Sequence, residues 1–266
     1  MILNHDTVAF VTGGAAGIGR ATATMLAGFG VKVVSFDRDD ASNTLLQQEY
    51  PGIYGISCDC TDMQQIKRSF EEAISCFGKV DVLVNNAGDF LLSSFLHDSY
   101  EAGIQGLERM LRLFVGSTYA FTQLAAPYMA RAGRGAIINV LTNHLHRDIC
   151  RVSSEEHAYD AAKYAQMSLN MSMAVELKPY GIRVNAVDPA ATYTKMLQDY
   201  FAGKGMETTV ENIARTTKTG SLMMPEDVAL AVCNLIQWED PAPVGRNYLI
   251  QFRPDCEKLK DPPCEV

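Results

Sequence analysis

Short, unbroken apolar runs alternate along this chain with longer stretches of helical period. Val8 to Val11, Val31 to Phe36 and Val80 to Val84 lack the in–out alternation of a half-exposed strand, which predicts strands covered on both faces. Ile18 to Phe29 is rich in Ala, Met and Leu and predicts a helix. Asp62 to Phe77 sets Ile66, Phe70, Ala73, Ile74 and Phe77 at helical spacing, with Asp62 as the start signal and Gly78 as the stop. Further β-type runs centre on Ile53, Ile137, Ile182 and Tyr248, and long helices begin near Glu101 and His157. This rhythm predicts an α/β fold, a doubly wound parallel sheet of the Rossmann-like kind.

The first strand–helix junction carries chemistry. Thr12-Gly-Gly-Ala-Ala-Gly-Ile-Gly19 lies between strand and helix, and the next strand ends at Asp37, about 20 residues on, as in dinucleotide sites. Glycines let the backbone approach a pyrophosphate, whose charge is favoured at a helix N-terminus. A carboxylate at Asp37 accepts from both ribose hydroxyls and repels a 2′-phosphate, so NAD is expected over NADP. Arg38 argues the other way, but no basic residue stands within Gly13 to Gly19 to support it. Far downstream, Tyr159 and Lys163 are spaced i, i+4 on a predicted helix, so a phenol and an ammonium share one face. A positive charge about 4 Å away is worth roughly 4 kcal/mol to a phenolate at an effective dielectric of 20, enough to make tyrosine a usable base. The expected reaction is reversible: Tyr159 takes the alcohol proton as hydride leaves the carbon for the cofactor.

Composition narrows the setting. With 266 residues, 47% of them hydrophobic and 20% charged, the chain fits one large domain. That domain is expected over 1–253, with a substrate lid at about 193–220 and a polar, proline-rich tail at 254–266. A net charge of −8 without a dense basic run gives neither nucleic acid nor an anionic membrane an electrostatic footprint. The seven scattered cysteines lack a C-x-x-C pair and suggest reduced thiols, with Cys58-x-Cys60 read as small buried hydrophobes and no metal site expected. No apolar run approaches 18 residues and the N-terminus has no leader pattern, so a soluble cytoplasmic protein is expected.

Four motifs together resemble the compact branch of the short-chain dehydrogenase/reductases across nearly the whole chain. They are Thr12-Gly13-x-x-x-Gly17-x-Gly19, Asn85-Asn86-Ala87-Gly88, Tyr159-x-x-x-Lys163, and the pair Gly181 to Pro189 with Pro225-Glu-Asp-Val228. The resemblance implies that Gly13, Gly17, Ile18 and Gly19 cradle the cofactor and that Asp37, Asp59 and Cys60 border its adenosine half. It also implies that Asn86, Ala87, Gly88, Pro189 and Thr194 line the remainder, with Tyr159 and Lys163. Thr142 stands where the family has a serine that bonds the substrate oxygen, and as the alternative Asn143 supplies that contact.

Two departures from the family stand out. Leu113 occupies the place of an asparagine that holds a relay water, which puts the usual proton route in doubt. Ala190 replaces a glycine after Pro189 and is expected to stiffen that turn, since alanine tolerates positive φ poorly. Asn139 and Asn185 read as structural. Substrate choice is expected in 143–157, with His144, His146, Arg147 and Arg151, and in 193–220, with Tyr193, Met196, Leu197, Tyr200, Phe201 and Met206 as a lid face. The first segment suits a carboxylate or is a solvated loop; the second weakly favours a ring or steroid-like alcohol, with a sugar polyol as the alternative. The expected partner is therefore a small alcohol or ketone. Rival readings are an NADP-dependent carbonyl reductase and a non-enzymatic NAD-binding scaffold. The resemblance also implies a homodimer or homotetramer paired through the long helices.

Overall fold

The computed structural model describes residues 1–146, 155–217, 220–238 and 245–250. Arg147, Arg151, Cys150, Cys256, Cys264 and the expected tail at 254–266 lie outside the described residues.

Seven parallel strands form one sheet: β1 (Val8–Thr12), β2 (Lys32–Asp37), β3 (Ile53–Ser57), β4 (Val82–Asn85), β5 (Gly135–Val140), β6 (Ile182–Pro189) and β7 (Asn247–Ile250). Their order is β3-β2-β1-β4-β5-β6-β7. The chain winds outward from β1 to β3, crosses back to β4, and winds outward again. The strand order therefore reverses between β1 and β4, where the carboxyl ends diverge and open a crevice.

The unbroken apolar runs follow from helices on both faces. Val8 and Phe10 of β1 face one core layer, while Ala9 and Val11 face the other. The first layer is filled from α3 (Met63–Phe77), α4 (Tyr100–Leu111), α5 (Ser117–Ala132) and α6 (His157–Leu177). Within it Phe10 meets Phe36 and Phe70 edge-on, and Phe36 meets Phe121 at 5.0 Å between ring centres. The second layer takes Leu26 from α1 (Gly17–Gly28), Leu46 from α2 (Asp40–Glu49) and Val228, Val232 and Ile236 from α9 (Pro225–Gln237).

Local signals set the helix ends. Asp62 caps α3 by accepting from the amides of Gln64 and Gln65, and Gly78 closes it in the left-handed conformation at φ 71°. The expected single lid helix is two, α7 (Lys195–Gly203) and α8 (Val210–Ala214), each begun by a threonine side chain. Thr194 caps the first and Thr209 the second, which splits the 193–220 segment where its apolar period lapses. A π-helical turn, Arg112–Gly116, joins α4 to α5.

Candidate active site

The glycine turn is held from behind by β4. Thr12 Oγ1 accepts from the amides of Asn86 and Ala87 at 3.0 and 2.9 Å, and Asn86 Nδ2 donates back to the carbonyls of Thr12 and Gly13. Gly13 and Gly17 take positive φ, 63° and 51°, which glycine adopts without steric cost. A side chain at Gly13 would meet Ala87 Cα at 2.9 Å. Gly19 differs from the other motif glycines: it packs behind the cleft rather than lining it, against the Gly13 carbonyl and the Asn86 amide. The remaining bare backbone faces a crevice and forms a cradle that fits a pyrophosphate.

Asp37 ends β2 at the rim of that crevice. Its two carboxylate oxygens accept from the amides of Ala15 and Asp39, both at 3.0 Å, which fixes the side chain beside the glycine turn. Arg38 reaches Asp89 at 3.5 Å, and Asp89 also receives Arg109. The guanidinium that argued for a 2′-phosphate thus has a carboxylate partner. Asp59 also faces the crevice, with Oδ1 accepting from the Thr61 amide and hydroxyl, both at 2.8 Å.

At the far end of the crevice, α6 projects Tyr159 and Lys163 as the i, i+4 spacing requires. Lys163 is buried: Nζ donates to the Val140 carbonyl at 2.8 Å and to Gln166 Oε1 at 3.1 Å, and lies 3.9 Å from the centre of the Phe114 ring. Gln166 is itself held by donating to Thr118 Oγ1 at 2.8 Å. Burial pushes the lysine down to about 7, with the Asp188 carboxylate pulling the other way. Burial thus works against the ammonium form, while the Val140 carbonyl, Gln166 and Asp188 work for it. Phe114 also meets Tyr159 edge-on at 5.4 Å, because the π-turn swings Leu113 and Phe114 toward α6. Leu113 lines the crevice as an apolar wall, and the polar contact to Lys163 comes from Gln166 on the lysine's own helix.

Two histidines of the 143–157 segment, His144 and His146, point inward, while His157 stacks on Phe95. His144 Nδ1 lies 2.9 Å from Asp160 and 3.7 Å from Glu156, and its ring meets Tyr159 edge-on at 5.6 Å. His146 Nε2 lies 2.8 Å from Asp188, a fully buried carboxylate at the end of β6 that burial raises and His146 lowers. Thr142 is buried at the end of β5, where its hydroxyl accepts from the His144 amide at 3.3 Å. A chain of amides, buried as far as Asn170, runs beneath: Asn85 donates to Asn139, Asn139 to Asn170, and Asn170 to the half-buried Asn247. Asn139 is thus tied into the packing, as a strand-end amide commonly is.

One continuous crevice of about 850 Å³ is lined by Gly13, Gly17, Ile18, Asp37, Asp59 and Cys60 at one end, and by Thr142, Tyr159 and Lys163 at the other. Asn86, Ala87, Gly88, Pro189 and Thr194 lie between, and Asn143 shares the Thr142 end. Met196, Leu197, Tyr200 and Phe201 of α7 cover it. Ala190 carries no strain, because Glu155 is the one non-glycine with positive φ among the described residues. Sequence reasoning missed Gln166, Glu156, Asp160 and Asp188 as parts of this site. Gln166 and Asp160 each stand three residues from Lys163, and Glu156 three residues before Tyr159, helical spacings that mark them in the sequence; Asp188, on β6, carries no such signal.

Comparison with known proteins agrees with this geometry. The family model for short chain dehydrogenases matches residues 7–205. L-fucose dehydrogenase of Bos taurus is 31% identical over 225 residues, covering 84% of this chain and 80% of that protein. L-xylulose reductase of Homo sapiens is 37% identical over 188 residues, covering 71% of this chain and 72% of that protein. The crystal structure of a 3-ketoacyl-(acyl-carrier-protein) reductase from Brucella melitensis, complexed with NADH, superposes with a TM-score of 0.76 at 27% identity, over 92% of this chain and 96% of that one. With its parallel seven-strand sheet and its motifs gathered on one crevice, the chain belongs to the short-chain dehydrogenase/reductase family, whose members are NAD(P)-dependent oxidoreductases.

Proposed function

We propose that this chain is an NAD-dependent dehydrogenase that interconverts a secondary alcohol and a ketone, with Tyr159 as the acid/base. The observation that carries the reading is the opening of Tyr159, Lys163 and Thr142 onto the same crevice as the glycine turn and Asp37. Bound NAD supplies the hydride acceptor, and the protein's own residues do the rest. The Thr142 hydroxyl positions the substrate oxygen, Tyr159 takes its proton, and Lys163, held by Val140 and Gln166, tunes the phenol. NAD is favoured over NADP because Asp37 is fixed at the ribose end and Arg38 is engaged by Asp89.

The named relatives, an L-fucose dehydrogenase and an L-xylulose reductase, support a small sugar-like alcohol over a steroid-like one. A second copy is proposed to pair through the outward faces of α5 and α6, where Tyr119, Met171 and Val175 are exposed.

A panel of secondary alcohols and ketones, assayed with NAD(H) and NADP(H), tests the reading. Turnover with NAD, lost in Tyr159→Phe, is the expected result. A preference for NADP would move the chain to the carbonyl-reductase reading, and tight NAD binding without turnover would make it a scaffold.

A further inference from the structure

Asp89 follows Gly88 just beyond the end of β4 and lines the crevice. One of its oxygens, Oδ2, receives two guanidinium groups: Arg109 of α4 at 2.5 Å and Arg38, next to the end of β2, at 3.5 Å. The other oxygen, Oδ1, accepts from the Phe90 amide at 2.9 Å, which fixes the carboxylate. In the sheet β2 and β4 flank β1, so the contact between Arg38 and Asp89 reaches across the carboxyl end of β1, where the glycine turn lies. Among the described residues, the lysines and arginines lining the crevice are Arg38, Arg109, Lys163 and Lys195. Lys163 is buried at the far end, and Lys195 is paired with Asp199 on α7. Both remaining cations therefore share a single oxygen of a single carboxylate.

We propose that Arg38 and Arg109 form a binding site for a phosphate monoester at the ribose 2′ position, and that Asp89 keeps this site closed, so that Asp89 is a specificity-determining residue for the cofactor. Such a site presupposes the NAD reading proposed above, which credits Asp37 with the discrimination, and adds to it a residue from the other side of β1.

Asp89 acts in two ways. It occupies the arginines, each of which gives it one terminal nitrogen, Nη2, of a fork suited to the oxygens of a phosphate. That hold is weak by itself, because Arg38 is 64% exposed and Arg109 45%, and exposed ion pairs contribute little. The second effect is repulsion: a 2′-phosphate drawn to the arginines meets the carboxylate that already lies against them. Charge counting gives the direction. Arg38, Arg109, Asp37 and Asp89 sum to zero, and neutralising Asp89 leaves the set with one positive charge. Asp39 and Asp59 also line the crevice, but their carboxylates are engaged locally, Asp39 by Ser42 at the start of α2 and Asp59 by Thr61.

Calorimetric titration with NAD and with NADP tests the site, since the two dinucleotides differ only in the 2′-phosphate. Asp89→Asn removes the charge and keeps an acceptor for the Phe90 amide. In this variant the ratio of NADP affinity to NAD affinity is expected to rise about tenfold, as one like charge is relieved and two arginines are released. In Asp89→Asn/Arg38→Ala/Arg109→Ala most of that rise is expected to be lost. Asp89→Ser, which also removes the charge, repeats the comparison with a second side chain. An unchanged ratio in Asp89→Asn and Asp89→Ser overturns the inference, and so does a rise that removal of both arginines leaves intact; either result leaves the NAD reading standing. An unmodified protein that prefers NADP overturns the NAD reading instead, and the same comparisons between variants then decide the part played by Asp89. Protein that binds neither dinucleotide overturns both.

Discussion

Gln166 Oε1 accepts a hydrogen bond from Lys163 Nζ at 3.1 Å, one helical turn along α6, in a site where the π-turn offers only Leu113 and Phe114. A buried amine that loses one of its two acceptors, here leaving only the Val140 carbonyl, holds its proton and its position less firmly. Gln166→Leu is therefore expected to lower kcat about tenfold with little change in KM, because the loss of a hydrogen bond to a charged group costs about 1.5–3 kcal/mol. Gln166→Glu, which keeps an acceptor, is expected to retain more turnover. Steady-state kinetics on the best alcohol checks both, and full activity in the Leu variant would show that Val140 alone holds the lysine.

Lys163 also gives the fold a pH signature. Its folded value, about 7, lies below the ordinary lysine value, so between these limits the unfolded chain holds more protons. Stability from this group therefore rises as pH increases from about 7 toward the unfolded lysine value, and below pH 7 the full cost of burying an ammonium applies. In Lys163→Met that slope should vanish. Urea denaturation of both proteins at pH 7 and pH 9 measures it: the difference in stability, variant minus parent, should be more favourable to the variant at pH 7 by on the order of a few kcal/mol. A difference independent of pH would place the lysine in a more solvated site.

Asp37 is already fixed by two backbone amides, so on the proposed reading its carboxylate would meet a ribose without reorganising. Asp37→Ala is expected to weaken NAD at least about tenfold, by removing a charge-assisted acceptor, and to narrow the gap to NADP. Calorimetric titration with each dinucleotide gives the answer directly, and an unchanged NAD affinity would remove the carboxylate from the site.

Gly19 and Gly28 belong to one helix and separate two roles of glycine. A side chain at Gly19 would overlap the Gly13 carbonyl, whereas at Gly28 nothing lies within 4 Å. Gly19→Ala is expected to destabilise the fold by at least about 2 kcal/mol through a forced backbone shift. Gly28→Ala should be neutral or stabilise by up to about 1 kcal/mol, from helix propensity. Thermal melts of the pair test this, and equal effects would contradict the packing of the glycine turn.

Met171 and Val175 project from α6 into solvent at 55% and 76% exposure. If these faces pair two copies, Val175→Glu should convert the assembly to monomers at micromolar concentration, because a charge at the centre of an apolar interface is left unpaired. Sedimentation velocity distinguishes the outcomes, and an unmodified protein that is already monomeric would make Val175 an ordinary exposed residue.

Local patterning determined much of this protein. Unbroken apolar runs required a sheet covered on both faces; the strand–glycine turn–helix order placed bare backbone at the crevice; Asp62 and Gly78 bounded α3; and the i, i+4 spacing put Tyr159 and Lys163 on one face. Each of these depends on contacts within a turn or two of chain, which sequence spacing encodes directly. Tertiary structure decided the rest. The partner of Lys163, the inward turn of His144 and His146, and the burial of Glu156, Asp160 and Asp188 arise where β5, α6 and the end of β6 converge. An acid's burial and a histidine's tautomer depend on what surrounds them in space, and no period along the chain reports that. The relaxed Ala190 and the break between α7 and α8 depended likewise on backbone angles and caps that only the assembled crevice sets.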